Sequence, residues 1–356
     1  MERLRSAVIG LGRMGAGPSS RLEGIVPEGW LPIGHLECVL NSAQFEVAAI
    51  CDIDEEKVAA LADANQIEGK YTDGMTLIHE VKPEFLSIAT RTEGRVELIE
   101  QAIEAGAKIL YFEKPISRSV EACRKVLSKA SEAGVICGYG VNRRYHYAYR
   151  QVQQRIREGE FGPVQQINIE HGYSNLYWSH PHSVDLILFF AGTTSLTQIQ
   201  GKCTFINDYK VSDPLFIDND PLVDHAYFEF SNGVTATINQ GIGLNTRIVC
   251  EKAIITIYSD GAWVEVQRIK ESGYLMESEG ISFEPAEESA TEYAFKALHH
   301  AHLHKTVSPI SLEEITTGLI MLNGLVYSTL RQGAAIGPEE VPEEMVVTGR
   351  SGNYYA

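Results

Sequence analysis

The sequence predicts an α/β protein in two parts, a doubly wound parallel sheet followed by an α+β domain with a mostly antiparallel open sheet. Three observations carry this. Up to about Asn142 short apolar runs alternate with amphipathic stretches, the rhythm of repeated βα units. A glycine-rich turn, Gly10-Leu11-Gly12-Arg13-Met14-Gly15, directly follows the apolar run Ala7-Val8-Ile9. After Arg144 the pattern changes to β-branched and aromatic alternation. The domains are therefore expected at 1–142 and 143–356.

In the first part the expected strands are Arg5 to Ile9, Glu46 to Cys51, Phe85 to Ala89, Lys108 to Phe112 and Val135 to Tyr139. Helices are expected between them. Asp54 is placed to cap one that runs to Ala64, with Glu55 and Glu56 in its first turn where the helix dipole favours negative charge. Glu93 to Ala105 and Ser117 to Ala133 are each followed by a glycine suited to a C-terminal cap.

In the second part a helix from Tyr147 to Glu158 leads into strands at Gln165 to Glu170, Ala226 to Phe230, Val234 to Asn239, Arg247 to Cys250, Ala253 to Tyr258 and Trp263 to Gln267. Ser231-Asn232-Gly233 and Ser259-Asp260-Gly261 supply hairpin turns. Helices at Thr291 to Lys305 and Leu312 to Leu330 follow, and the tail beyond Pro338 reads as an extended arm.

The 356 residues suit two cores, with 44% hydrophobic and 22% charged residues. A net charge of -17 argues against nucleic acid and anionic membranes as partners, leaving a small molecule. Six scattered cysteines, Cys38, Cys51, Cys123, Cys137, Cys203 and Cys250, form no zinc or disulfide framework and read as reduced. With no signal-type or membrane-spanning run, a cytoplasmic location is expected.

A GxGxxG between a strand and a helix is a dinucleotide fingerprint, and points to a Rossmann domain. Gly10 permits the sharp turn, Gly12 lets backbone approach a pyrophosphate and Gly15 allows close packing; Arg13 and Met14 lie within the same turn. The acidic residue that holds the ribose is expected about 20 residues later. Asp52, the best candidate, comes 37 residues after Gly15. The segment from Gly17 to Gly34, with Pro18, Pro27, Pro32 and four glycines, accounts for the excess as an inserted loop. The loop is expected to fold over the cleft and bring Trp30 or His35 close to cofactor or substrate. A carboxylate at Asp52 accepts from a 2′-hydroxyl and repels a 2′-phosphate, so NAD is favoured over NADP. Thr90, Glu113, Lys114 and Pro115 complete the expected cofactor contacts.

Tyr111-Phe112-Glu113-Lys114-Pro115 ends a strand on the side where open parallel sheets place ligands. A lysine there can hold a substrate hydroxyl and stabilise the alkoxide that develops as hydride leaves. With Asn142-Arg143-Arg144-Tyr145 at the domain crossing and His182-Ser183-Val184-Asp185 beyond it, the chain resembles the Gfo/Idh/MocA family of oxidoreductases over roughly residues 4 to 335. The resemblance implies oxidation or reduction of sugars, inositols and related compounds, with Lys114 the catalytic lysine and Pro115 shaping the turn beneath the nicotinamide. It also implies a homo-oligomer, a dimer or tetramer, assembled through the open sheet.

In related dehydrogenases a histidine at the position of His182 is the general acid/base, often with an aspartate four residues earlier; here that position is Trp178. Trp178, Tyr177 and His180 suggest an aromatic-lined pocket instead. Asp185 is placed either to orient the imidazole or to cap the helix. Arg144 and Tyr145 are candidates to reach the substrate, or to brace the domain junction. The run His299, His300, His302, His304 lacks the glutamate of a zincin and is taken as a polar helix face, with no metal. Two alternatives stay open: an enzyme that retains and recycles NAD in epimerisation, elimination or internal redox, and a non-catalytic sensor. Trp178 favours the sensor. Lys114 and His182 speak against it.

Overall fold

A computed structural model describes residues 3–270, 273–274, 276–284 and 286–349. Its first sheet is built from β1 (Leu4–Ile9), β2 (Phe45–Cys51), β3 (Gly69–Tyr71), β4 (Phe85–Ile88), β5 (Ile109–Phe112) and β6 (Ile136–Tyr139). They are parallel throughout and ordered β3-β2-β1-β4-β5-β6. The order reverses between β1 and β4, which opens a ligand crevice at the carboxyl ends of the strands. The accompanying helices are α1 (His35–Asn41), α2 (Glu55–Asn65), α3 (Gly74–Val81), α4 (Arg95–Glu104) and α5 (Val120–Glu132). Asp54 caps α2 by accepting from Lys57 N–H, as its position before two glutamates predicts.

The inserted loop enters α1 in an unusual way. His35 N–H bonds Met14 C=O at 2.8 Å, and Leu36 N–H bonds Gly15 C=O at 2.8 Å. Both pairs are 21 residues apart where a continuous helix has four, so the loop interrupts a helix whose first turn is the fingerprint itself. Removing those extra 17 residues brings the Gly15-to-Asp52 spacing from 37 to 20.

The second sheet has eight strands, β7 (Val164–His171), β8 (Leu196–Thr204), β10 (Leu222–Phe230), β11 (Thr235–Gln240), β12 (Leu244–Cys250), β13 (Ile254–Tyr258), β14 (Trp263–Ile269) and β15 (Met276–Ile281); β9 (Phe216–Ile217) stands outside it. The order is β15-β14-β13-β12-β7-β11-β10-β8, and every pairing is antiparallel except β7 with β11. The two expected hairpin turns do join β10 to β11 and β13 to β14. Helix α6 (Tyr147–Arg157) precedes this sheet, α7 (Leu176–Ser179) and α8 (Pro181–Ala191) follow β7, and α9 (Ala290–His304) and α10 (Leu312–Leu330) follow β15. Helices α8 and α10 pack on each other and on β7 and β8.

Two segments tie the halves together. Phe295 and Leu298 of α9 join the core of the first sheet. Gly138 in β6 makes room, since a Cβ there would lie 2.3 Å from Leu298 Cδ1. The arm after Pro338 returns to the first domain: Glu121 N–H bonds Glu343 C=O and Val347 N–H bonds Arg118 C=O. Its strand β16 (Val346–Val347) pairs with β9. The arm's residues 350–356 lie outside those described.

Candidate active site

The fingerprint turn has the shape a dinucleotide requires. Gly10 adopts φ +90°, and a Cβ on it would sit 2.7 Å from the Ala89 carbonyl, just ahead of Thr90. A Cβ on Gly15 would lie 1.8 Å from Gly10 O, so the turn closes only with glycine. At Gly12 a Cβ would meet nothing within 4 Å, which leaves backbone facing open space where a pyrophosphate fits. Asp52, just past β2, accepts from Leu11 N–H at 2.6 Å and from Asp54 N–H at 3.1 Å. These residues fit NAD. Arg13 is exposed.

Glu113, Lys114 and Pro115 follow β5, with a cis peptide between Lys114 and Pro115. This turn is gripped from beneath by Arg95, only 1% exposed, whose guanidinium donates to the carbonyls of Glu113 (2.7 Å), Pro115 and Thr90. On its other side lies His35, fully buried, with Nε2 3.3 Å from Glu113 Oε1 and Nδ1 2.8 Å from Ser87 Oγ. Burial would push the Glu113 carboxyl up, but His35, Lys114 and Arg95 outweigh it and hold it below its usual range.

Lys114 Nζ donates to Trp178 C=O and sits 4.8 Å from the Trp178 ring centre. Burial draws this ammonium down to about 8, with Glu113 acting in the opposite direction. His182 is the second residue of α8, one turn beyond Trp178. Its Nδ1 is buried without a partner, and burial, then the charges of Arg143 and Lys114, holds the ring well below its ordinary value and hence neutral. A neutral imidazole and a lysine ammonium in each other's field can manage the proton of one hydroxyl.

Several expected contacts lie elsewhere. Asp185 neither orients His182 nor caps α8: its carboxylate takes the Arg144 guanidinium at 2.6 to 3.1 Å. Arg144, 3% exposed, also bonds Glu314 at 3.0 Å and the Pro309 carbonyl at 3.1 Å, which ties the segment after β6 to α8 and α10, the bracing arrangement expected as the alternative to substrate contact. Tyr145 is buried in the core with Trp30, Tyr111 and Phe295. Tyr177, too, is buried, with its hydroxyl on Asn323, and His180 bonds Ser183. Of the three aromatic residues expected to line a pocket, only Trp178 is partly exposed. His299 meets Phe45 edge-on, and the His300 and His304 rings lie 4.2 Å apart at a tilt of 38°.

The inserted loop touches both the fingerprint and the second sheet's half: Arg21 donates to the Arg13 carbonyl, and His35 at the loop's end faces Glu113. Trp30 is buried against the second domain, stacked on His146 at 5.0 Å, with Nε1 donating to Asp260 C=O at 2.9 Å. Arg143, which the sequence did not single out, lies over Trp30 and forms a double hydrogen bond to the Asp260 carboxylate at 2.8 Å. His171 of β7 is a second such residue, brought down to about 4 by burial and then by Arg143. Adjacency to Arg144 was the available signal for Arg143, while nothing local marks His171 or Arg95.

Residues 4–141 match the sequence model of an oxidoreductase family with an NAD-binding Rossmann fold. Inositol 2-dehydrogenase of Salmonella typhimurium (strain LT2) is 30% identical over 151 residues, which is 42% of this chain and 45% of that enzyme. The matched stretch thus spans less than half the length of that relative. The scyllo-inositol 2-dehydrogenase (NAD(+)) of Bacillus subtilis (strain 168) is 26% identical over 254 residues, 67% of each chain. Among solved structures, levoglucosan dehydrogenase in complex with NADH and L-sorbose has a TM-score of 0.76 at 15% identity, covering 96% of this chain and 100% of its own. At that identity the likeness speaks for the fold.

Proposed function

Because residues 4–141 belong to the Gfo/Idh/MocA oxidoreductase family, described by its NAD-binding Rossmann fold, we propose that this protein is an NAD-dependent dehydrogenase acting on a secondary hydroxyl of a sugar or cyclitol. Two relatives named as inositol dehydrogenases support that substrate class. The turn from Gly10 to Gly15, Asp52 and Thr90 would hold the dinucleotide, together with Glu113, Lys114 and Pro115. Bound NAD supplies the hydride acceptor.

The chain's own residues manage the oxygen and its proton. Lys114 Nζ, now on the Trp178 carbonyl, donates to the substrate hydroxyl and lowers the cost of the developing negative charge. His182 takes the hydroxyl proton on its neutral imidazole. Trp178 offers an aromatic face to the apolar side of a sugar ring. The observation that carries this reading is His182, a neutral imidazole with a buried, unpartnered nitrogen in the field of Lys114.

We further expect a homo-oligomer that covers exposed apolar groups of the second sheet, Trp263 and Ile269 among them. Among the described residues no helix is long and apolar enough to cross a membrane. A reducing, cytoplasmic setting is consistent with six buried free cysteines.

The test is a panel of sugars, uronates, nucleotide sugars and cyclitols offered with NAD, following the absorbance of reduced nicotinamide. Turnover with at least one polyol is expected. If NAD binds but no polyol reduces it above background, the dehydrogenase reading falls.

A further inference from the structure

Glu113, which is buried, and Lys114, which is half-buried, are neighbours in the turn after β5, and the opposite charges would be expected to collapse onto each other. They do not. Among the described residues no ion pair joins them, and Lys114 Nζ reaches to the Trp178 carbonyl instead. Both carboxylate oxygens of Glu113 are occupied: Oε2 accepts Lys114 backbone N–H at 3.3 Å, and Oε1 faces His35 Nε2 at 3.3 Å. A carboxylate only accepts, so this ring nitrogen is the donor. The ring has no freedom to turn away. Nδ1 is fixed on Ser87 Oγ, Tyr111 meets the ring edge-on at 5.1 Å and Phe295 does so at 6.0 Å.

We propose that His35 is a positioning residue: it holds the Glu113 carboxylate away from Lys114 Nζ, so that the ammonium stays available to a substrate oxygen. This rests on the role given to Lys114 above. His35 stands at the point where the inserted loop rejoins the interrupted helix, so the loop's end and the reacting lysine are linked through one buried carboxylate.

The experiment measures Lys114 directly. Its labelling by a small amine-reactive anhydride, followed by mass spectrometry as a function of pH, gives a titration midpoint that needs neither NAD nor turnover. In His35→Leu the freed carboxylate pairs with Nζ, and the midpoint should rise by roughly one to two pH units, with turnover falling roughly tenfold or more. His35→Gln, whose amide can still donate to Glu113, should restore both. Ser87→Ala, which loosens the ring without emptying its space, should move the midpoint the same way by less.

Other groups acting on Lys114 remain in place in all three variants: Arg95 of α4, Arg143, Asp220 ahead of β10, and the Trp178 carbonyl of α7. His171 of β7 and His182 of α8, which lie in the field of Lys114, are likewise unchanged. A midpoint that stays put or falls in folded His35→Leu and Ser87→Ala overturns the proposal. If the wild-type protein oxidises no polyol, the functional reading fails, while the labelling still decides what His35 does.

Discussion

The Asp52 carboxylate receives the amide N–H of Leu11 at 2.6 Å, binding the end of β2 to the glycine turn after β1. A negative charge is thereby fixed beside the turn, where it accepts from ribose hydroxyls and repels a 2′-phosphate. NAD should bind at least ~10-fold tighter than NADP, about 1.4 kcal/mol. Fluorescence titration with both dinucleotides checks this, and equal affinities would remove Asp52 from the site.

Lys114→Ala should lower turnover by at least ~10² while NAD affinity stays near that of the unaltered protein, because the side chain serves substrate and transition state. His182→Ala should cost a similar factor, part of it recovered at high pH where solvent base substitutes. The two losses should not add in the double variant, since both act on one oxygen. Full additivity in steady-state kinetics would separate them.

The same lysine predicts a trade between activity and stability. Folding takes it from an ordinary 10.5 down to about 8. Between those values the unfolded chain binds more protons, so stability rises with pH across the window, and below 8 the protonated lysine carries its full cost. Lys114→Met should therefore raise the unfolding midpoint at neutral pH, with a gain that shrinks as pH climbs from 8 toward 10.5. Calorimetry at several pH values tests the sign. In the unaltered protein kcat/KM for the proposed reaction should fall above about 8 as the donor is lost.

Arg144 and Asp185 form a buried pair that ties the segment just after β6 to α8. Asp185→Ala strips Arg144 of one of its two carboxylate partners and should cost roughly 3–5 kcal/mol. At a temperature where the variant remains folded, NAD affinity should be unchanged. A variant as stable as the parent would show that Glu314 alone suffices.

Trp30→Ala should destabilise the protein by roughly 3 kcal/mol, as expected for removing a large buried aromatic. It should also raise KM for the polyol more than for NAD, because Trp30 supports Arg143 and the Asp260 carbonyl. An unchanged KM ratio would confine Trp30 to a packing role.

What the sequence revealed follows physical range. Residues 7–15 carry their own evidence, since strand and glycines are adjacent, and Asp52 became legible once the loop was subtracted. Strand β3 is only three residues long, too short for a period. Strand β8 hides behind Gly201, where a Cβ would lie 2.6 Å from Leu325 Cδ2, and β15 is almost wholly exposed and polar. The side chains whose partners the sequence could not name depend on distant residues: Arg144 finds Asp185 41 residues away, Arg143 finds Asp260 117 away and His35 finds Glu113 78 away. Folding alone chooses among such partners.

Gly17 and Gly34, the two ends of the inserted loop, stand close together, with an ideal Cβ on Gly34 only 3.2 Å from Gly17 O. A loop whose ends touch can be exchanged as a unit. The interrupted helix therefore behaves as a socket: its ladder is completed through space by the Met14 and Gly15 carbonyls, and a different segment seated between 17 and 34 would have to replace only the bond from Arg21 to the Arg13 carbonyl to keep the phosphate turn supported. Grafts at this point offer a way to alter how the two halves are fastened while leaving the dinucleotide cradle as it is.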